Sequence, residues 1–536
     1  MNRFFTTTAL RLTPLTPIHI GCGIDFEPTN YVIDDGVLYH FDPAQVKLTT
    51  AERKALMDAV NDRSHAVSKV QLYFHRNRQR YAAQARQVVS VAAGVAEQYE
   101  QRIGQIAQNE GTGRKVINQL EIERTAHHPH SGMAYLPGSS LKGAMRTAWL
   151  DAINQGQGRD RDDRTANGME KRLLGGAFHT DPFRLVDVAD ASGHDVASKV
   201  YFSTNHKKRQ IFKGGAELQG KGPATRRESV IGGQYAVLTS ELRLDLLPGQ
   251  GRSDKVPAQR FDLGQLAAAC NRYYVGRLHR LLDLLDQRGF AHPDWLAGVR
   301  RLLVALQPAL QRGDAFLLRV GRHSGAESVT LDGVREIRVM QGKGMPARQS
   351  DESTTLWLAA EHENVTRGAL LPFGWLLVER ADAPELPALR AWCEQQPKPD
   401  LAAIQARLAE ARVQAEREAA ETAAALAARQ AAEAEAARLA AEAAARLAAL
   451  TPNLRDVEAL ANALRDRVTV LRGGKDKPNT EWHGKARTLA KRALAEGWPQ
   501  AERAALAAML EQELPNAVQL DWKDERKKLQ ITQLRD

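Results

Sequence analysis

Apolar and polar positions alternate in Ala9-Leu10-Arg11-Leu12-Thr13-Pro14, the pattern of a half-buried strand. Thr16-Pro17-Ile18-His19-Ile20-Gly21-Cys22-Gly23 reads as a second short strand ending in a glycine turn. Tyr31-Val32-Ile33 and Val37-Leu38-Tyr39 flank Asp34-Asp35-Gly36, a hairpin with turn residues in place. From about Pro43 the period lengthens. Val88, Val91, Val95, Tyr99, Ile103 and Ile106 recur every three or four residues, which predicts an amphipathic helix within a helical insertion over about 43–125. Strand signals return after Leu136. Leu185, Val186 and Val188 lie in one strand, and Glu241-Leu242-Arg243-Leu244-Asp245-Leu246 alternates cleanly. Residues 262–311 are helical again, with Leu281, Leu282, Leu284 and Leu285 clustered. Phe316-Leu317-Leu318-Arg319-Val320 and Trp375-Leu376-Leu377-Val378 read as closing strands. Strands with inserted helices, and no regular βαβ alternation, predict an α+β fold.

That pattern ends near Pro387. After Pro399, as far as Leu450, the chain is about half alanine, with Glu and Arg and neither glycine nor proline. These are the strongest helix formers, and at about 1.5 Å per residue the helix would reach roughly 75 Å. Large apolar residues are sparse, which suits a spacer or a groove-lying helix. Thr451-Pro452 is a helix start. Val457, Leu460, Ala461, Leu464 and Val468 share a face beyond it, and Leu489, Leu494, Leu506 and Leu510 imply more helices. The expected organisation is a body over 1–388, a long helix over 389–450 and an all-α domain over 451–536.

The 536 residues carry 74 Lys and Arg against 64 Asp and Glu, a formal net charge of +10. A basic excess points to a polyanion, most commonly nucleic acid, or simply to a basic surface. Much of it sits in the glycine-rich segment 203–235, expected as an exposed loop or long hairpin. Its Lys207, Lys208, Arg209, Lys213, Lys221, Arg226 and Arg227 are either a binding element or a solvated charge run. Cys22, Cys270 and Cys393 lie far apart, so neither a zinc cluster nor a disulfide framework is indicated. No apolar run approaches the roughly 20 residues of a membrane span, and the N-terminus lacks an apolar signal core. No membrane contact, no cofactor and a cytoplasmic location are expected.

The most informative segment is Tyr135-Leu136-Pro137-Gly138-Ser139-Ser140-Leu141-Lys142-Gly143-Ala144-Met145-Arg146-Thr147-Ala148-Trp149. A strand end meets Pro-Gly, then two serines suited to N-capping, then a helix. Leu141, Met145, Ala148, Trp149 and Ala152 face the core, with Lys142 and Arg146 on another face. Cations near a helix N-terminus are unfavourable alone. They make sense beside free N–H groups and serine hydroxyls if a phosphate binds there. The alternative is a capped helix with ordinary solvated cations.

Catalytic constellations are weak. Asp25, after the glycine turn, has no evident partner carboxylate. In His127-His128-Pro129-His130 the proline prevents a shared helix face, so a loop is expected and not a metal site. His19, between isoleucines, suits a structural role, although it borders a glycine turn that could approach RNA. No GxxxxGK[ST], HExxH or GxSxG motif occurs.

Leu-Pro-Gly-Ser-Ser-Leu-Lys-Gly-Ala-Met-Arg, residues 136–146, closely resembles the signature of the RAMP superfamily of CRISPR-associated RNA-binding proteins. Leu15-Thr16-Pro17-Ile18-His19-Ile20-Gly21 is similar to the family's first strand and glycine turn. Asp181-Pro182-Phe183-Arg184-Leu185 with Val188-Ala189-Asp190-Ala191 is similar to its middle strand. Leu318-Arg319-Val320-Gly321 with Ser324-Gly325 resembles its glycine-rich loop, and Pro372-Phe373-Gly374-Trp375 its terminal strand. Over about residues 6–380 this order is most like the subunit capping the backbone filament of a type III-A (Csm) CRISPR effector, near the 3′ end of the CRISPR RNA.

The resemblance implies a ferredoxin-like (RRM-like) palm with a thumb hairpin, and a non-catalytic role in antiviral defence. The implied partners are CRISPR RNA and neighbouring RAMP backbone subunits, with target RNA left open. Contacts would be mainly to phosphate and sugar, hence salt-dependent and largely independent of guide sequence. The implied RNA-binding residues are His19, Gly21, Gly23, Gly138, Ser139, Ser140, Lys142, Arg146, Lys207, Lys208, Arg209, Arg226, Arg227, Arg319 and Arg322. Similar backbone subunits cleave target RNA with an aspartate in a loop before the Pro-Gly-Ser-Ser motif, which makes Asp25 the residue to test. The alternatives are a RAMP-type endoribonuclease that processes precursor CRISPR RNA, or the equivalent seat in a type III-B or III-D complex.

Overall fold

The computed structural model describes residues 5–62, 65–105, 108–109, 115–116, 120–160, 165–176, 178–220, 222–245, 257, 261–340 and 344–536. The chain divides into two units, Met1–Ala415 and Glu416–Asp536, with the division inside the long helix Leu401–Ala449.

The first unit contains a five-stranded antiparallel sheet in the order Ala315–Arg319, Trp375–Arg380, Phe5–Pro14, Leu238–Asp245, Val186–Val188. Its strands follow the expected alternation. In Leu238–Asp245 the residues Leu238, Ser240, Leu242 and Leu244 point inward while Thr239, Glu241 and Arg243 are exposed. The helices Gly138–Asn154 and Leu263–Gln287 pack against this sheet. Tyr274 donates its hydroxyl to the Ala144 carbonyl at 3.1 Å. Asn271 donates to the Ala315 carbonyl at 2.9 Å and accepts from the Leu317 N–H at 3.0 Å, locking helix to edge strand.

A second, nine-stranded sheet is mixed. Its path runs Gly21–Phe26, Ile122–Thr125, Thr225–Val230, Ser198–Lys207, Gln87–Val91, Val37–His40, Tyr31–Asp34. Thr355–Ala360 joins the far half of Ser198–Lys207 and also pairs with Leu371–Pro372. The expected hairpin at residues 31–40 is present, turning at Asp35-Gly36.

Three expectations are corrected. Residues 16–23 do not form one strand ending in a turn. Pro17 cannot donate to a ladder, so only Ile18 bridges, exchanging bonds with Val230 at 2.9 and 2.8 Å. The strand starts at Gly21, and the glycines fall in a register shift between Gly21 and Asp25. Second, Val88 and Val91 belong to the strand Gln87–Val91, and the helix spans only Ala93–Arg102. Three β-branched valines in five residues favour a strand despite the helical spacing; Ile106 lies outside the described residues. Third, the insertion at 43–125 is not purely helical. Its helices Thr50–Val60, Ala66–Arg76 and Arg78–Ala83 share a small core with strand residues, including the aromatic cluster Phe41, Phe74 and Tyr81.

The long helix begins as part of that core. Ile404 and Leu408 are buried in it, and Arg412 donates to the Ala85 carbonyl at 2.8 Å. Beyond Val413 the helix is exposed almost throughout. The second unit has its own core, built by Pro452–Leu471, Glu481–Ala495 and Gln500–Ala517 with Leu460, Leu464, Leu489, Leu506 and Leu510. Thr451 caps its first helix, accepting from the Leu454 N–H at 3.3 Å. Residues 1–415 produced alone are therefore expected to be soluble and to unfold cooperatively. Aggregation of that fragment would contradict two separate cores.

Candidate nucleic-acid interface

The signature helix starts differently from expectation. Its N-cap is Pro137, with no side-chain cap bond, so Ser139 and Ser140 sit in the first turn and cap nothing. Gly138 donates its N–H to Asp190 Oδ1 at 2.7 Å. A Cβ on Gly138 would stand 2.0 Å from the Val188 carbonyl oxygen, because the helix start presses directly onto the edge strand. Arg146 is also employed internally. It donates to Asp181 at 3.0 Å and to Glu170 at 2.9 Å, and it covers the Phe183 ring. Burial opposes its charge, but the two carboxylates outweigh that and hold its pKa above the usual value. The expected phosphate cradle thus keeps Lys142, which has no ion-pair partner among the described residues, while Arg146 anchors the neighbouring segments.

His19 is fully buried. Its Nδ1 donates to the Glu228 carbonyl at 2.6 Å, leaving Nε2 to accept from Arg227 at 3.5 Å. Burial, with the Arg227 and Arg322 charges, pushes its pKa down to about 4 against the upward pull of Glu228 and Glu123. The ring is neutral near pH 7 and presents no surface to RNA. Gly21 and Gly23 are exposed beside it. Arg227, 3% exposed, pairs with Glu123. Asp25 does have a carboxylate neighbour, because it stands opposite Glu123 in the register. Burial, then Glu123 and Glu27, raises its pKa. His127 bridges Ala134 and His128 stacks on Tyr135, which makes that segment a tight turn. Among the described residues no cluster of three His, Cys, Asp or Glu could hold a metal.

The segment 203–235 is a hairpin, but its arms are not loop. Ser198–Lys207 and Thr225–Val230 are central strands, with Ser203, Thr204, Arg227 and Glu228 buried. Arg226 lies partly buried in the second arm, donating to Gln98 at 2.6 Å. The long tip between them is exposed, with Arg209 and Lys213 beside Phe212, which is 62% exposed; Lys221 lies outside the described residues. Lys207 ends the first arm, and Lys208 donates to Glu327 at 2.6 Å. Burial would raise the Glu327 carboxyl, but Lys208 and the Ser353 N–H outweigh it and hold the pKa at about 2.

This hairpin base forms one wall of a cleft of about 890 Å³. Seven cations line it against three carboxylates, Asp283, Glu327 and Glu352. Most are tied down. Arg277 donates to the Glu327 carbonyl at 2.9 Å and to Asp332 at 2.8 Å, Arg335 also holds Asp332, and Arg288 holds Glu217. Arg319 donates to the Phe373 carbonyl at 3.1 Å, and burial lowers its pKa to about 10. Arg209 and Arg280 remain exposed and have no ion-pair partner among the described residues. His323 and Gly325 of the loop Gly321–Gly325 also line the cleft. The Gly321 Cβ would lie 2.3 Å from the His19 carbonyl oxygen, at φ +81°, and Arg322 donates its N–H to that same oxygen at 2.8 Å. Arg322 itself is 59% exposed. His323 stacks on Trp357 with ring centroids 5.0 Å apart.

The structure brings together Lys208, Arg209 and Arg319 in the cleft. Sequence reasoning missed Arg277, Arg280, Arg288, Arg335 and Trp357. A signal existed for two of them, since Arg277 and Arg280 are three apart on a leucine-rich helix and so share a face.

A ferredoxin-like sheet backed by two helices, joined to a mixed sheet with a projecting hairpin, defines an α+β protein of the RRM-like class. A family model described as the RAMP superfamily matches residues 11–290, more than half of the sequence, and the chain belongs to that superfamily. Among solved structures it is similar to Csm5 of T. onnurineus, with 14% identity and a TM-score of 0.39, covering 69% of this chain and 99% of that one. It is also similar to a chain from a Csm–crRNA–target RNA ternary complex of a type III-A CRISPR-Cas system. There the identity is 16% and the TM-score 0.32, with 70% of this chain and 100% of that chain covered. Comparison with curated proteins gives no sequence match.

Proposed function

We propose that this protein is a non-catalytic CRISPR RNA-binding subunit of a type III effector complex, of the III-A kind, capping the backbone filament near the guide 3′ end. RAMP superfamily membership and the order of motifs along residues 6–380 support the assignment. The observation that carries it is the basic cleft, where Arg209 and Arg280 stay exposed beside the Gly321–Gly325 loop. Arginines face phosphates well because their planar fork matches two oxygens at once. The backbone is read, not the bases, as a guide-independent subunit requires. Neighbouring RAMP subunits and target RNA complete the proposed set of partners. No helix among the described residues is long and apolar enough to cross a membrane, and a cytoplasmic location is part of the proposal.

The rival endoribonuclease would use a histidine or lysine as general acid or base, with His19 the residue to test. A fully buried, neutral ring with both nitrogens engaged cannot reach a ribose hydroxyl. Repeat RNA incubated with the purified protein is expected to stay intact. Site-specific cleavage that disappears in His19→Ala would establish the enzyme instead.

Arg209→Ala with Arg280→Ala is expected to weaken RNA binding at least tenfold near physiological salt. The slope of log affinity against log salt should fall by about 1.4, at roughly 0.7 per single-strand phosphate contact. A wild-type slope in the double variant would remove the cleft from the interface.

A further inference from the structure

We infer that the second unit carries its own surface for single-stranded nucleic acid, on the edge formed by residues 472–480 and the helix Trp522–Lys528. This goes beyond the reading of the body and does not depend on it.

Asp476 is held by Arg467 in a two-pronged pair, both bonds 2.8 Å. Glu525, 3% exposed, accepts two bonds of 2.6 Å from Arg487 and one of 2.8 Å from His483. Glu481 is paired with Lys485. Of the acids on this edge Asp476 and Glu525 are thus drawn inward and Glu481 is paired, while two are exposed: Asp521, which caps the helix Trp522–Lys528 by accepting from the Lys523 N–H at 3.1 Å, and Asp524. The cations behave oppositely. Arg472, Lys475, Lys477, Lys523, Lys527 and Lys528 are all exposed, with no ion-pair partner among the described residues.

These cations project from a fixed frame. Asp476 donates its N–H to the Ala517 carbonyl at 2.9 Å and accepts from the Gln519 N–H at 2.8 Å, so the loop runs alongside the segment leading into the last helices. Asn479 donates its N–H to His483 Nδ1 at 2.9 Å, and Arg487 reaches Asn479 Oδ1 at 3.2 Å. The buried His483–Glu525–Arg487 cluster therefore ties the loop to both helix starts. Lys475 and Lys477 flank Asp476, and Lys523 and Lys527 share a face of the short helix. Half-buried Trp522 lies at the same edge and offers an aromatic surface. Like charges concentrated on a rigid edge are unfavourable until a polyanion supplies counter-charge. Lysines as point charges beside an aromatic ring suit a phosphate backbone with stacked bases, independent of sequence.

The test uses the full chain with Lys475→Gln, Lys477→Gln and Lys523→Gln together, titrated with unstructured oligo-uridine and oligo-deoxythymidine across a salt series. The salt slope is expected to fall by about 2, at roughly 0.7 for each of three phosphate contacts. Ultraviolet cross-links from wild type to peptides covering 472–480 and 520–528 should disappear. The Arg209→Ala, Arg280→Ala protein should retain those cross-links, which separates this surface from the cleft. Loss with both probes assigns single strands generally, and loss with oligo-uridine alone assigns RNA; either supports the inference. An unchanged slope, or cross-links confined to the body, overturns it and leaves the lysines to an acidic protein surface.

Discussion

The body should be several kcal/mol less stable near pH 5 than near pH 7, a larger loss than any single surface substitution would cause. Four histidines account for it. His19, His40 and His206 are pushed down to about 4, and His323 to about 3. Burial is the main cause for each, followed for His40, His206 and His323 by neighbouring arginines: Arg124, Arg288 and Arg227 with Arg322 respectively. In the unfolded chain these rings titrate near 6.5. Between about pH 6.5 and 4 the unfolded state therefore binds more protons, and stability falls as pH falls. A shift of that size corresponds to about 1–2 kcal/mol per ring by pH 5 after allowance for partial solvation. Glu228 works the other way. Burial raises its carboxyl to about 6, so ionisation above that value is unfavourable and acidification relieves it. That offsets roughly one of the four histidines. Urea midpoints of the body at the two pH values check the sum. Equal midpoints would mean the rings are protonated in place.

Gly138→Ala should destabilise the body by about 3 kcal/mol or more. The new methyl would stand 2.0 Å from the Val188 carbonyl oxygen, and backbone cannot rotate away as a flexible side chain can. The intrinsic gain of alanine over glycine in a helix, roughly 1 kcal/mol, does not compensate. Gly143→Ala supplies the internal contrast. Five residues on in the same helix, its added methyl would meet nothing within 4 Å, so that variant should gain about 0.5–1 kcal/mol. Thermal unfolding of the two proteins should move in opposite directions. Shifts of the same sign would show that the signature glycine is not set by helix-on-strand contact.

These expectations show why part of the site was legible and part was not. The motif around Gly138 is recognisable because the close approach it serves admits no other residue. The role of Arg146 was not legible, because Glu170 and Asp181 come to it only when a helix and a turn fold back. The same holds for Lys208, whose partner Glu327 is 119 residues away, and for Arg227, whose partner Glu123 is 104 residues away. Charge counted along the chain cannot separate a cation already neutralised from one still available. Arg280, buried in a leucine-rich stretch of sequence, is available in the structure, whereas the more conspicuous Arg146 is not.

By itself the sequence determined what depends on near neighbours: the 31–40 hairpin, the alternation of 238–245, the apolar face of the signature helix, the Thr451 start and the superfamily. The elements are matters of period, turn chemistry or capping, resolved within about a dozen residues, and the superfamily follows from the order of such short motifs along the chain. Only the tertiary structure decided that Val88 and Val91 join a strand, that His19 is sealed inside, that the long helix begins as core, and which arginines line an open cleft. Burial and much of the ion pairing are set by segments from about two dozen to more than a hundred residues apart, as with Arg146 and Glu170 or Lys208 and Glu327, and no local pattern encodes such pairings.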